Sequence, residues 1–275
     1  MNKIKRTFLL SLILMVFFLT PLVRAEQAKS SALYVAVAAN FGPVFEQISA
    51  AFKTQHGIEL VPSYASTGKL YAQIINGAPF ALFLAADTAT PRKLEKDAYT
   101  VPDKRFTYAV GHLVLWSAHP GRVDAKGEVL ASDSFDRLAI ANPATAPYGL
   151  AAQQVLQRLG QWQRLRPKLI QGESIAQVYQ FLSSGNVPMG FIAASQVPAH
   201  SGSFWRVPAE LHDPIEQQVV ILKSAQHNAD AFKLYDFLRS EQAAIIISAF
   251  GYSVPDVPGA ERAKHADKHT SALTQ

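Results

Sequence analysis

The sequence predicts a two-lobed α/β fold, in which each lobe is a mainly parallel sheet with helices on both faces. Short apolar runs of strand length, such as Leu33–Ala39 and Phe80–Ala85, alternate with amphipathic segments of helical spacing. Two successive strand–helix–strand units favour a parallel sheet that is covered on both sides. The alternation then continues without a sequence repeat of fixed period, which favours two lobes over one barrel.

Each predicted element rests on apolar spacing and on a stop signal. Helices are predicted where apolar residues recur every three or four positions and a glycine follows, as in Phe41–His56 before Gly57. Strands are predicted where short, mostly apolar runs lie between turn residues. The predicted strands are 33–39, 59–64, 80–85, 112–118, 138–141, 189–194 and 217–222, and the predicted helices are 41–56, 69–75, 150–159, 175–182 and 229–250.

The order of these elements predicts how the chain divides. Residues 26–109 and 217–255 are expected to build the first lobe, and residues 110–216 the second. The extended segments Phe106–Trp116 and Gln217–Leu222 are the expected crossings between the lobes. Neither segment is rich in glycine, which favours a hinge of limited, defined motion over a flexible tether.

The first 25 residues have the pattern of a secretory signal peptide. Lys3, Lys5 and Arg6 precede the apolar run Phe8–Phe18, and small residues flank a cleavage position after Ala25. The apolar run is shorter than the ~20 residues that a membrane span needs. We therefore expect cleavage and export to the periplasm rather than a membrane anchor.

The composition excludes several kinds of site. The chain has no cysteine, so disulfides, thiolate metal ligands and cysteine nucleophiles are excluded, and we expect no lipid anchor on an N-terminal cysteine. Four basic residues of the signal region account for most of the formal net charge of +5, leaving about +1. We therefore expect no nucleic-acid partner. Residues 256–275 are predicted to be a disordered polar tail, in which His265 and His269 are solvated.

Four predicted helix starts carry residues suited to anion binding. They lie at Asn40, Ser66-Thr67-Gly68, Pro147-Tyr148-Gly149 and Gly172-Glu173-Ser174. Three of them follow a strand directly, at the edge of a parallel sheet where open α/β folds bind ligands. Each start presents unpaired N–H groups and about half a positive charge, so four together would balance a doubly charged anion. Taken singly, each start is better explained as an ordinary helix cap.

A cavity built from N–H and O–H donors would also select among anions. A protonated anion such as hydrogen phosphate carries a donor of its own and requires an acceptor in the cavity. Lys69 is the one basic residue in the first turns of these helices. Thr67 is expected to donate its hydroxyl and its backbone N–H to the anion, and its hydroxyl is expected to be solvated in the free protein.

Several motifs resemble the periplasmic molybdate-binding proteins of ABC transporters. They occur in matching order over about residues 31–255, at Val37–Phe41, Ala65–Gly68, Tyr71–Ile74 with Gly77–Pro79, Ala146–Leu150, Gly190–Ile192 and Phe250–Tyr252. The resemblance implies a type II periplasmic-binding-protein fold whose two lobes close on the ion. It implies a transport receptor without a cofactor that delivers molybdate or tungstate to an integral-membrane ABC permease with its cytoplasmic ATPase. We expect the receptor to be a monomer.

The resemblance further implies which residues contact the oxyanion, through side chains or through helix-start backbone. Carried over by position, they are Asn40, Thr67, Tyr148 and Ile175, with Ala39 and Ser66 as contributing neighbours. Metal would be bound only as the oxyanion, by these same residues. Many family members have Ser where this chain has Asn40, Tyr where it has Ala193 and Asp where it has Ala81, and Asn40 with Tyr148 resembles one branch of the family. The choice between molybdate and tungstate and the exact set of donors therefore stay open.

Two other classes of function stay open. A receptor for sulfate, phosphate or an organic anion would use the same kind of cavity. A periplasmic hydrolase would need an activated nucleophile, a base or a metal, and Ser117, His119 and Asp124 are close enough in sequence to be considered. No strand–turn–helix nucleophile elbow surrounds any serine. The expected inventory of donors therefore favours a receptor.

Overall fold

The computed structural model describes residues 32–198 and 202–255, which contain two five-stranded sheets. The strands are β1 (Leu33–Ala38), β2 (Leu60–Ala65), β3 (Leu82–Leu84), β4 (Thr100–Gly111), β5 (Leu113–Ser117), β6 (Leu138–Ala141), β7 (Leu169–Gly172), β8 (Gly190–Ala193), β9 (Ser203–Arg206) and β10 (Ile215–Leu222). The helices are α1 (Gly42–His56), α2 (Thr67–Ile75), α3 (Ala89–Lys96), α4 (Pro147–Arg158), α5 (Trp162–Leu165), α6 (Ile175–Ser183), α7 (Ala229–Phe237) and α8 (Glu241–Ala249). The predicted signal peptide and polar tail lie outside the described residues.

Both sheets are mixed. In the first, with the order β2-β1-β3-β10-β4, β1 pairs in parallel with β2 and β3, whereas β10 is antiparallel to β3 and β4. The second, with the order β7-β6-β8-β5-β9, is parallel around β6 and antiparallel around β5. The two-lobed α/β class is confirmed. The sheets are mixed and not mainly parallel as expected. The chain enters β5 and β10 directly from the other sheet, and not through the helical crossover that a parallel pair requires.

The chain passes between the sheets in short extended segments. β4 ends at Gly111 in the first sheet and β5 begins at Leu113 in the second, so His112 alone connects them. The chain returns between β9 and β10, and β10 already pairs with β4 at Ile215. The segment Gln217–Leu222 was expected to make this crossing, but its residues are paired within the first sheet. The chain therefore crosses back to the first sheet before Gln217.

The first sheet is covered on both faces by apolar side chains that alternate along β1. In β1, Val35 and Val37 contact the core beneath α1, α7 and α8, whereas Ala36 belongs to the core beneath α2 and α3. This alternation follows the two-residue period of a strand. In the second sheet, Trp116 and Trp205 are buried in one core, and Trp162 packs against it. The first sheet therefore has helices on both faces, as expected.

The predicted elements are present with small shifts at their ends. β6 matches its prediction, and α2 and α4 begin at Thr67 and Pro147, so the motifs themselves form the first helical turns. The helix predicted over 229–250 is divided into α7 and α8, because Ser240 accepts the backbone N–H of Ala243 and caps a new helix. Among the described residues, no helix combines the length and apolar character that a membrane span requires.

Candidate anion-binding site

A small cavity lies where the starts of α1, α2, α4 and α6 converge. Its volume is about 10 Å³. The residues that line it are Ala38, Ala39, Asn40, Ser66, Thr67, Ala86, Ala146, Pro147, Tyr148 and Ile175. The structure thus brings all six residues predicted for the site to one cavity, although they are spread over 137 positions of the sequence, from Ala39 to Ile175.

The ends of the parallel strands position these helix starts. β1 and β2 are paired so that Ala38 lies beside Ala65, and their ends are therefore level. A 3-10 turn, Ala39–Phe41, leads from β1 into α1, and α2 begins two residues after β2. In the second sheet, β6 and β7 pair Ala141 with Gly172, and α4 and α6 follow them. The four helix starts consequently emerge at the carboxyl ends of parallel strands, where this fold class binds ligands.

Gly149 allows α4 to approach β6 closely. A Cβ atom at this position would lie 2.2 Å from the carbonyl oxygen of Ala141, so any larger residue would displace the helix. Pro147 occupies the first helical position, where its missing N–H removes no intrahelical bond. The first turn of α4 is therefore held with Tyr148 at the cavity.

The cavity wall carries no charged side chain. The first turns of α1, α2, α4 and α6 also contain no acidic residue. Lys69 in the first turn of α2 is paired with Glu173, whose Oε2 lies 2.5 Å from the lysine Nζ, and both side chains are about half exposed. Each helix start contributes about half a positive charge. The attraction for an anion therefore comes from backbone dipoles, at roughly two charges for four helices.

Ser66 presents a hydroxyl group without a partner at this cavity. Its Oγ is buried and has no hydrogen-bond partner among the described residues. Ser66 stands at the N-cap position of α2, but its side chain makes no capping bond, whereas Ser174 caps α6 by accepting the N–H of Gln177. An unsatisfied buried polar group costs about 1–3 kcal/mol. The hydroxyl is therefore available to a bound acceptor, and the ordinary-cap interpretation fails for Ser66.

Thr67 corrects one expectation. Its Oγ1 accepts the backbone N–H of Ala86 at 3.0 Å, and the residue is 1% exposed. The hydroxyl is therefore buried in the free protein, whereas the sequence had predicted that it would be solvated. Its hydrogen remains available for donation, since the bond to Ala86 uses only a lone pair. The sequence could not reveal this bond, because Ala86 follows a different strand.

A layer of polar side chains lies directly behind the cavity. Asn40 Nδ2 donates to Gln217 Oε1 at 2.9 Å and to the Tyr252 hydroxyl at 3.0 Å. Gln217 Nε2 donates to the Tyr148 hydroxyl at 3.3 Å. Both amide hydrogens of Asn40 are thus used within the protein, so Asn40 can donate to the cavity through its backbone N–H. Burial raises the pKa of Tyr108, Tyr148 and Tyr252, and these phenols stay neutral.

Gln217, Tyr108 and Tyr252 were not predicted as site residues. A signal for Gln217 was present, since the predicted strand 217–222 begins with two amide side chains, and a buried polar side chain requires partners. Tyr252 lies in one of the family motifs, Phe250–Tyr252, but nothing near it in sequence indicated a role. Tyr108 is one residue of a long strand and had no distinguishing neighbour.

The residues considered for a hydrolase make structural hydrogen bonds. Ser117 Oγ donates to the carbonyl oxygen of Pro188 at 2.6 Å and accepts the backbone N–H of His119 at 3.2 Å. Asp124 accepts three backbone N–H groups of the turn that follows it. In the part of the chain that the structure describes, no three His, Asp or Glu side chains lie close enough together to hold a metal ion.

A family model described as "Bacterial extracellular solute-binding protein" matches residues 33–253. The chain belongs to this family. Among solute-binding relatives, the molybdate-binding protein ModA of Azotobacter vinelandii is 48% identical over 231 residues, which cover 82% of this chain and 92% of the relative. ModA of Rhodobacter capsulatus is 46% identical over 229 residues, covering 83% and 90%.

The fold of these solute-binding proteins matches as well. The solved structure of the Azotobacter vinelandii periplasmic molybdate-binding protein aligns with a TM-score of 0.79 at 42% identity. The alignment covers 82% of this chain and 100% of that chain. The resemblance to the molybdate-binding proteins, inferred from short motifs, is confirmed over most of the described residues.

Proposed function

We propose that this chain is a transport receptor that captures molybdate or tungstate in the cavity between the four helix starts. The observation that carries the proposal is the unpartnered, buried Ser66 hydroxyl in a cavity whose walls are neutral and whose helix dipoles are positive. The names of the relatives from Azotobacter vinelandii and Rhodobacter capsulatus support this ligand. A small dianion without a proton matches both the donors and the summed dipole.

The proposed donors are two hydroxyls and a set of helix-start N–H groups. They are the side chains of Ser66 and Thr67 and the backbone of Ala39, Asn40, Tyr148 and Ile175. Hydrogen phosphate would bring a donor to a wall that offers few acceptors, which disfavours it. Sulfate carries no proton, so discrimination against it rests on the size of the cavity.

The same proposal covers the setting in which the receptor works. It acts as a monomer in the periplasm after removal of residues 1–25, and it docks on an ABC permease that is driven by a cytoplasmic ATPase. Its first lobe extends to Gly111 and resumes at Ile215, two positions from the expected boundaries at 109/110 and 216/217, and its second lobe lies between them. It needs no cofactor and catalyses no reaction, which agrees with the names of its relatives and with the structural hydrogen bonds of Ser117 and Asp124.

Thermal unfolding of the purified protein with four anions tests the proposal. Molybdate and tungstate at about 100 times Kd should stabilise the fold by about 2.7 kcal/mol. For a domain of this size, the melting temperature should then rise by roughly 5–10 °C. Sulfate and phosphate at the same concentration should behave like a chloride control of equal ionic strength. A phosphate shift as large as the molybdate shift would contradict the proposed ligand.

A further inference from the structure

Gln217 lies at the centre of the polar layer behind the cavity. This residue of β10 is fully buried, and both the oxygen and the nitrogen of its side-chain amide form hydrogen bonds. Oε1 accepts from Asn40 Nδ2 at 2.9 Å and from the Tyr108 hydroxyl at 3.1 Å, while Nε2 donates to the Tyr148 hydroxyl at 3.3 Å. Asn40 and Tyr148 line the cavity, so one amide connects two of its walls.

The hydrogen bonds of this layer have a defined direction. The Tyr252 hydroxyl donates its one hydrogen to the carbonyl oxygen of Asn40 at 2.9 Å. Ser195 Oγ lies 3.0 Å from the same hydroxyl and 3.5 Å from the Asn40 carbonyl oxygen. Asn40 is therefore held at its carbonyl by Tyr252 and at its amide by Gln217 and Tyr252. These bonds fix the side chain and the carbonyl of Asn40, and thereby restrain the turn whose Asn40 N–H faces the cavity in the proposed function.

The layer also joins the two lobes. Asn40, Tyr108 and Gln217 belong to elements of the first sheet, whereas Tyr148 and Ser195 follow strands of the second. We propose that Gln217 is a positioning residue whose neutral amide locks Asn40 and Tyr148 into the anion-binding arrangement and keeps negative charge out of the layer behind the anion. This inference rests on the proposed function and assigns a role to a residue that does not itself line the cavity.

Gln218 provides a matched control on the same strand. It is also buried, and it makes two side-chain bonds of its own, accepting from Arg105 Nη1 at 2.9 Å and donating to Thr107 Oγ1 at 3.1 Å. Neither partner lines the cavity. Gln217→Met removes three buried side-chain hydrogen bonds and Gln218→Met removes two part-buried ones, and only the first variant releases Asn40 and Tyr148. Calorimetric titration with molybdate should show Kd raised at least about tenfold for Gln217→Met and changed less than about threefold for Gln218→Met.

A pH profile distinguishes positioning from a merely structural contribution. In Gln217→Glu, a protonated carboxyl can accept and donate as the amide does, whereas the ionised form cannot donate and brings a negative charge next to the anion. Burial raises the pKa of such a carboxyl above its ordinary value of about 4.3. Molybdate affinity of this variant should be close to wild type near pH 5 and should fall at least about a hundredfold by pH 8. The affinities of wild type and Gln218→Glu should change less than about threefold over this range.

The other titratable groups near Gln217 do not produce this profile. They are the phenols of Tyr108, Tyr148 and Tyr252, whose raised pKa values keep them neutral, and Asp87 beyond Tyr108. Asp87 is present in every variant, so its titration cancels in the comparison with Gln218→Glu.

The outcomes separate this inference from the proposed function. Should wild-type protein fail to bind molybdate, the proposed function is wrong and this inference falls with it. If wild type binds but the Gln217 variants match their Gln218 counterparts in affinity and pH profile, only the positioning role is wrong. If Gln217→Met does not fold by circular dichroism, the profile of Gln217→Glu decides, starting from its amide-like protonated form at pH 5.

Discussion

Replacing Ser66 by alanine should weaken anion binding without weakening the fold. The Ser66 hydroxyl is buried and unpartnered, so its removal takes no hydrogen bond from the free protein. An unsatisfied buried hydroxyl costs about 1–3 kcal/mol, so the free variant should be as stable as wild type or slightly more stable. A hydrogen bond to a charged ligand is worth about 1.5–3 kcal/mol. At about 1.4 kcal/mol per tenfold, Kd for molybdate should rise roughly ten- to hundredfold.

Thr67→Val provides the contrasting variant. Its hydroxyl accepts the Ala86 N–H at 3.0 Å, and valine would leave that buried group without an acceptor. The free protein should lose about 1–3 kcal/mol of stability. Binding should weaken as well, because the same hydroxyl is a proposed donor to the anion. The two neighbouring substitutions should therefore differ in their effect on the fold and agree in their effect on affinity.

Two measurements on each variant check this reasoning. Urea unfolding without ligand gives the stability of the free protein, and calorimetric titration with molybdate gives Kd. Wild-type affinity in Ser66→Ala would refute the assignment of the cavity as the anion site. A loss of stability in Ser66→Ala equal to that in Thr67→Val would show that the Ser66 hydroxyl has a partner in solution.

Three further perturbations follow from other contacts. In Gly111→Ala, the new methyl group would lie 2.0 Å from the Tyr148 hydroxyl, so calorimetry should show molybdate affinity reduced at least about tenfold, and an unchanged Kd would contradict this steric argument. Glu173→Gln removes the partly exposed ion pair with Lys69, so the affinity for molybdate should change less than about fivefold at low salt and should equal that of the wild type near 1 M salt. A difference in affinity that persists at 1 M salt would contradict an effect of screened charge. Burial and the nearby Arg206 lower the pKa of His112 in the folded protein, so the wild type should lose stability as the pH falls below about 6.5. Urea unfolding should show a smaller loss of stability for His112→Gln, and equal losses in the two proteins would contradict this role of His112.

The parts of the fold that were predictable are those with a strong local pattern. Leu138–Ala141 is an apolar run between polar neighbours, and the helix Gly42–His56 repeats apolar residues at helical spacing before Gly57. The first half of β4 and the short strand Ser203–Arg206 were missed, because they mix polar and apolar residues without a clear period. Their conformation depends on pairing with β10 and β5, which only the folded chain supplies.

The residues of the candidate site also divide into those that a local sequence pattern predicted and those that it did not. Residues such as Thr67 and Tyr148 were accessible to sequence reasoning because a strand end followed by a helix start is a local pattern. Gln217 and Tyr252 were not, because their roles arise from contacts between segments that are far apart in the chain. Asn40 and Tyr252 are separated by 212 positions and share two hydrogen bonds. Local patterns therefore locate the donors around the cavity, and the layer that orients them becomes visible only in three dimensions.

Hydrogen bonds and an ion pair connect the two lobes. Gly68 N–H donates to the carbonyl oxygen of Thr145 at 2.9 Å, and the Gln217 and Ser195 bonds described above also link elements of the two sheets. Neutral bonds of this kind contribute about 0.5–1.5 kcal/mol each, and the exposed Lys69–Glu173 pair contributes at most about 1 kcal/mol. Opening would return many of these groups to water, so their net preference for the closed form is small. A dianion held by helix starts of both lobes would add charge-assisted bonds that exist only when the lobes meet. In the proposed function, the bound anion would therefore contribute most of the net preference for this arrangement of the lobes.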